Sequence, residues 1–334
     1  MDDALGLWFS LTLADMTPHV SETAPPTATE SWLRLRPGLP VCWETTELLR
    51  VGFDRAVARV VDPTPSQQRL IGRLVEGFPV SDLTDHARAV GATKQQTHAL
   101  LAALGPALES VQDYMPGPAM DSAVDTEATP NAGPGAAGST PRTHPPRGFP
   151  IRTQMSDGAR RLPGLSGTLS GSVLCDFAKG TQPPELVIYA ERFVEPLERA
   201  QTWLMAGTPH LRIRFTDTSL IVGPLVIPPG APCQSCATLA VLERDSAVPV
   251  IAAQLIGTRP ASETHLVSIV AAATATELIV AWRRGDPYPH HTELTFPVAA
   301  GRVVGWPATH AVHPHRECAC WLLPQGPPAP VAAR

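Results

Sequence analysis

Apolar and polar positions repeat with two different periods, and the change from one to the other organises the first hundred residues. Runs at 31–36, 47–54 and 56–62 are short, rich in branched and aromatic side chains and bounded by turn residues, which predicts strands. Pro37 and Gly38 close the first, and the other two read as a hairpin. Beyond Thr64 the spacing lengthens to three and four: Leu70, Ile71, Leu74, Val75 and Phe78 make one helical face. Thr64 caps that helix, with Pro65 at its first position and Gln67 completing a capping box. A second helix starts near Ser81. Thr93 and Gln96 repeat the box for a third, whose buried face would be Thr97, Leu100, Leu101, Leu104 and Leu108. The order βββααα predicts an α+β, winged-helix-like unit over 30–110.

Residues 111–150 hold eight prolines, five glycines and only two branched aliphatics, Val111 and Val124. Such a window cannot bury enough surface to offset chain entropy, so it reads as a linker. The ends, 1–29 and 326–334, read as disordered. Between them, 151–325 forms a second unit: a buried strand at 185–189, a helix at 192–205, strands at 210–215 and 220–227, helices at 237–244, 249–257 and 262–283, and a hairpin from 293–298 and 302–306. This pattern is α/β. Its longest apolar stretch, 266–282, carries Glu277 and three hydroxyl residues and predicts a buried helix rather than a membrane span. The apolar stretch at 5–13 is flanked by Asp2, Asp3 and Asp15 with no Lys or Arg, the reverse of a secretory signal.

Composition narrows the function. Proline reaches 37 of 334 residues, and charged residues make up only 17%. Lys94 and Lys179 are the only lysines, and the net charge of −5 gives no global field for nucleic acid. Between Thr93 and Glu109 the only cation is Lys94, so the third helix cannot read phosphates as a DNA-recognition helix must. The same geometry suits peptide capture. An extended segment would add beside 56–61, with Val57, Val60, Leu100 and Leu104 framing pockets for its side chains.

Six cysteines suit a cytosolic protein with reduced thiols. Four form two chelating pairs, Cys233 with Cys236 and Cys318 with Cys320, each following a strand. Four thiolates make a closed structural zinc site with no position left for water. His313 or His315 could replace one cysteine. Cys42 and Cys175 read as core thiols.

From Asp217 through Pro232-Cys-Gln-Ser-Cys236, then Leu242-Glu-Arg-Asp245 and Gln254-Leu255, the chain resembles the zinc-bearing half of the ThiF/E1-like family, and 313–321 is similar to that family's closing zinc segment. More narrowly it resembles the E1-like cyclodehydratase C proteins, which bind the leader peptides of azole-forming ribosomal peptides and carry a winged-helix recognition element similar to 33–108. The resemblance implies a cytoplasmic, zinc-containing leader peptide-binding protein of bacteriocin-like biosynthesis, acting with a YcaO-type cyclodehydratase, without nucleic-acid or membrane partners and with homodimerisation open. It departs from the family where ATP should bind. Gly164, Gly167 and Gly171 do not form GxGxxG, and fewer than 40 residues, 151 to 184, precede the 185 strand, too few for an intact nucleotide-binding βαβ pair. Asp176 could stand where the family places a ribose-binding acid. The expectation is a reduced E1-like pseudoenzyme without ATP. The alternatives are a degenerate adenylyltransferase that keeps ATP and a zinc-containing winged-helix DNA-binding regulator.

Overall fold

The computed structural model describes residues 31–112, 149–162, 164–177 and 182–322. The stretches read as disordered ends, and all but the margins of the linker, lie outside the described residues.

The first unit runs β1 (Ser31–Leu35), β2 (Val41–Trp43), β3 (Leu48–Val51), β4 (Ala58–Val61), α1 (Pro65–Glu76), β5 (Phe78–Pro79), α2 (Leu83–Ala89), α3 (Lys94–Leu104) and β6 (Leu108–Gln112). Both capping boxes form, with Thr64 and Thr93 each exchanging bonds with the glutamine three residues on. The order βββααα is corrected. The expected hairpin is β3 with β4, but β1 pairs antiparallel with β5 and β6 in a separate sheet, and the three-residue β2, too short to show a period, stands beside β3. Leu108 belongs to β6 and not to the third helix, because Gly105 and Pro106 lead the chain out of α3 through a 3-10 turn. The two three-stranded sheets, β5-β1-β6 and β2-β3-β4, enclose with the helices a core that includes Leu49, Val51, Val60, Leu70, Leu74, Leu100 and Leu104.

The second unit runs β7 (Ile151–Ser156), α4 (Leu165–Gly171), β8 (Cys175–Asp176), β9 (Leu186–Arg192), α5 (Glu198–Met205), β10 (His210–Phe215), β11 (Ser219–Val226), α6 (Gln234–Arg244), α7 (Val248–Gln254), α8 (His265–Arg283), α9 (Tyr288–His291), β12 (Thr292–Ala299), β13 (Arg302–Val303) and β14 (Ala308–Ala311). One mixed sheet has the order β13-β12-β11-β10-β9-β7-β8, with β14 also beside β12. The strands β8, β7, β9 and β10 are parallel, and the rest pair antiparallel. A βαβ unit therefore does fit before β9. It does so by shrinking α4 to seven residues and β8 to two. The chain moves outward from β7 to β8 and then returns across β7 to β9, which creates a topological switch point.

The apolar helix α8 is long enough to cross a membrane by length and composition. Here it is a core element: Val267, Ala271, Ala275, Leu278 and Ile279 are at most 1% exposed and pack with Leu220, Val222 and Leu165 in the main core.

The two units share a smaller core of Cys42, Phe53, Phe193, Val248, Ile251, Ala252 and Leu255. Phe53 and Phe193 meet edge to face at 4.9 Å. The turn after β1 contributes Gly38, whose φ of +85° and position against Ala261 both exclude a side chain: a Cβ would lie 2.3 Å from that of Ala261.

Candidate functional site

Cys233 ends the loop after β11 and stands at the N-cap of α6, Cys236 follows within the helix's first turn, and Cys318 and Cys320 come from the tail beyond β14. Fold topology closes this gap in sequence. The four sulfurs lie within 4.8 Å of one another, and all four residues are buried. Separations are 3.5 Å for Cys233–Cys318, 3.2 Å for Cys236–Cys320 and 3.9 Å for Cys233–Cys236. A tetrahedral zinc with bonds of about 2.3 Å needs sulfurs about 3.8 Å apart, whereas a disulfide needs about 2.05 Å. The geometry is that of a chelating cage, and the residues present fit zinc.

The thiols are already polarised. A hydrogen bond shared with Cys233, together with a backbone hydrogen bond from His315, draws the Cys236 thiol down to about 4. The same shared proton, with burial, pushes Cys233 up, and burial lifts Cys320 to about 12. No histidine enters the cage. The His315 ring accepts from the Glu317 amide at Nδ1 and places Nε2 3.2 Å from Glu243, and His313 is exposed. Cys42 and Cys175 are separate buried thiols, each pushed up by burial.

In an open α/β sheet, ligands gather at the carboxyl ends of the parallel strands. Here much of that end is filled by the protein itself. Beyond β10, Asp217 accepts the Phe53 amide at 2.7 Å and the Asp54 amide at 3.1 Å, both from the turn between β3 and β4. Asp54 in return accepts the hydroxyls of Thr216 and Thr218 at 2.6 and 2.7 Å. Arg50, 1% exposed, braces the turn by donating to the Gly52 and Phe53 carbonyls and pairs with Asp245 at 2.5 Å. Burial, and then the nearby charge of Asp54, push the Asp217 carboxyl up to about 7. At the end of β9, Arg192 donates to Glu263 at 2.6 Å and to the carbonyls of Asp157 and Arg160.

What stays open is a cleft of about 760 Å³ on the flank of β7 where the two-residue β8 ends, lined by Arg152, Gln154, Arg161, Ser166, Ser170 and Phe177 among others. Gly164 caps α4 in the left-handed region, while Gly167 and Gly171 are residues of that helix and not of a phosphate turn. Asp176 ends β8.

The four residues expected to frame peptide pockets divide sharply. Val60, Leu100 and Leu104 are at most 4% exposed and belong to the core, and only Val57 is half-buried. The edge itself is as expected: β4 is an outer strand of β2-β3-β4. Its register with β3 continues to the Asp62 amide on the Glu47 carbonyl, so Leu49↔Val60 and Val51↔Ala58 face inward and the backbone groups of Arg59 and Val61 face out. The opposite edge is capped. Gln254 of α7 accepts the Trp43 amide at 2.8 Å and donates to the Trp43 carbonyl at 2.7 Å, as a neighbouring strand would. The pairings of Arg50 with Asp245, Asp54 with Thr216 and Gln254 with Trp43 carry no local signal, since each spans more than 160 residues.

No protein-family model matches the chain, and no curated protein matches it. Solved structures do. A heterocyclase in complex with substrate and cofactor aligns with a TM-score of 0.37 and 11% identity over 84% of this chain and 38% of its own. The heterocyclase TruD aligns at 0.34 and 13% over 87% and 42%, and the microcin C7 biosynthetic enzyme MccB in complex with N-formylated MccA at 0.36 and 7% over 87% and 99%. The chain thus spans about two fifths of the heterocyclases and nearly the whole of MccB.

Proposed function

We propose that this chain is a cytoplasmic, non-catalytic scaffold that captures a precursor leader peptide along β4 and presents it to a YcaO-type cyclodehydratase, with zinc held by Cys233, Cys236, Cys318 and Cys320. The observation that carries the reading is an asymmetry between the two units. The sheet end where an α/β enzyme places its reacting groups is occupied by Asp217, Asp54, Arg192 and Glu263 bonded to one another's segments, while the first unit has a strand edge that is unpaired among the described residues. Strand addition at such an edge draws affinity from backbone hydrogen bonds and specificity from alternate side chains. Zinc would tie the loop after β11 to the tail, a structural service. The resemblance of 217–255 and 313–321 to leader peptide-binding E1-like proteins supports the choice of peptide.

The test is binding of a synthetic candidate precursor leader peptide. Arg59→Pro removes an outward amide from an exposed position. It is expected to weaken binding by about tenfold or more, the loss of one to two hydrogen bonds, while leaving the melting temperature of the second unit unchanged. Equal affinity for the variant and the parent would refute strand addition at β4.

A second reading, a nucleotide-binding or adenylating protein, is favoured by the cleft beside β7, which lies at the switch point and carries Arg152 and Arg161. The scaffold reading expects no ATP–pyrophosphate exchange with the precursor peptide; exchange above background that is lost in Arg161→Ala would favour the enzyme.

A further inference from the structure

Residues 5–13, outside the described residues, read Leu-Gly-Leu-Trp-Phe-Ser-Leu-Thr-Leu. Leu5, Leu7, Phe9, Leu11 and Leu13 fall on every second position, with Gly6, Trp8, Ser10 and Thr12 between them. Five bulky apolar side chains at a period of two give an extended segment one continuous apolar face; on a helix the same residues would spread around the axis. We propose that this segment adds to the outer edge of β4 as a fourth strand of β2-β3-β4 and competes from within the chain with the peptide captured there. This rests on the reading of β4 as the peptide site and says how that site is regulated.

Three observations converge on β4 as the acceptor. The sheet has two edges, and Gln254 already holds the one at β2 through both backbone groups of Trp43. At β4 the outward groups of Arg59 and Val61 have no hydrogen-bond partner among the described residues, and Val61 is 74% exposed. An added strand would turn its apolar face toward α3, which packs against β4.

The tether is also long enough. Residues 14–30 number seventeen, which at about 3.3 Å each reach about 56 Å. A compact unit of the size of 31–112 has a radius of gyration of about 12 Å, so every point on its surface lies within range. A tether of this kind holds the segment at an effective concentration of the order of millimolar. A peptide that binds weakly is excluded, and only one with greater affinity for the edge displaces the chain's own strand.

Hydrogen exchange at Arg59 and Val61 tests this, comparing the full chain, a form lacking residues 2–16, and the full chain carrying Phe9→Pro. The probe is a synthetic peptide of residues 2–16. The two amides are expected to exchange about tenfold or more slowly in the full chain than in the other two forms, the protection a tethered strand confers. Adding the synthetic peptide to the shortened form should restore slow exchange. Fast exchange in all three forms would overturn the internal strand while leaving precursor capture, measured separately by binding, intact. Slow exchange in all three would mean that another part of the chain covers β4, and would overturn both. Protection that rises with protein concentration would assign the segment to a neighbouring copy and overturn competition within one chain.

Discussion

Stripping metal with a strong chelator is expected to release one zinc ion per chain and to free α6 and the tail from the rest of the second unit. The apolar cluster around the sulfurs contains, besides the four cysteines, only Val226 and Ala231 as buried members. Hydrophobic burial there is small, whereas structural zinc contributes on the order of 10 kcal/mol, comparable with the whole stability of an ordinary domain. The main core of β7–β12 with α4 and α8 is a separate cluster and gives the sheet its own reason to persist. Cys233→Ser should therefore abolish stoichiometric metal and expose 313–320 to protease, while Cys175→Ser, at a buried thiol outside the cage, should leave metal content at one per chain. Metal analysis with thiol titration checks this. Zinc near zero in the parent, with all six thiols reacting in the native state, would remove the cage.

Contact between the two units is expected to weaken as pH rises from about 4 to about 7. The Asp217 carboxyl sits at about 7 against an ordinary 3.8, raised by burial and then by Asp54, so between these values the folded protein binds a proton that the unfolded chain does not. Stability then falls with increasing pH. At about 1.4 kcal/mol per pKa unit the change is on the order of a few kcal/mol. The amides of Phe53 and Asp54 oppose it in part, and the Cys42 thiol is close enough to feel the Asp217 charge. Asp54→Asn removes the facing charge and keeps an acceptor for Thr216 and Thr218. Its melting temperature should depend on pH much less than that of the parent over this range, whereas a dependence as steep as the parent's in both Asp54→Asn and Asp217→Asn would show that the pair does not carry the effect.

Local signals were legible in the sequence and distant ones were not. Two capping boxes, the start of the third helix and the two cysteine pairs each depend on residues within a few positions, and each stands where the pattern put it. Strands of two or three residues, such as β2 and β8, are shorter than one reading of their period, and so the βαβ unit before β9 went unseen. β10 misleads in another way. Its sequence His-Leu-Arg-Ile-Arg-Phe alternates like a strand with one wet face, yet all six residues are buried because Arg212 and Arg214 pair with Glu293 and Glu191. The sealed sheet end is a product of the docking of two units, which no window of sequence contains. The burial of Val60, Leu100 and Leu104 follows from the same limit: apolar spacing marks a face as buried and does not say whether protein or ligand buries it.

The side chain of Gln254 sets a direction. A three-stranded sheet with two bare edges could accept a strand on each side or stack with its own copies into a growing ribbon. With the amide of Gln254 closing the ladder at Trp43, strand addition to this sheet is directed past β4, to one side only. Gln254→Ala would reopen the second terminus, turning a receptor for one segment into a link that can propagate.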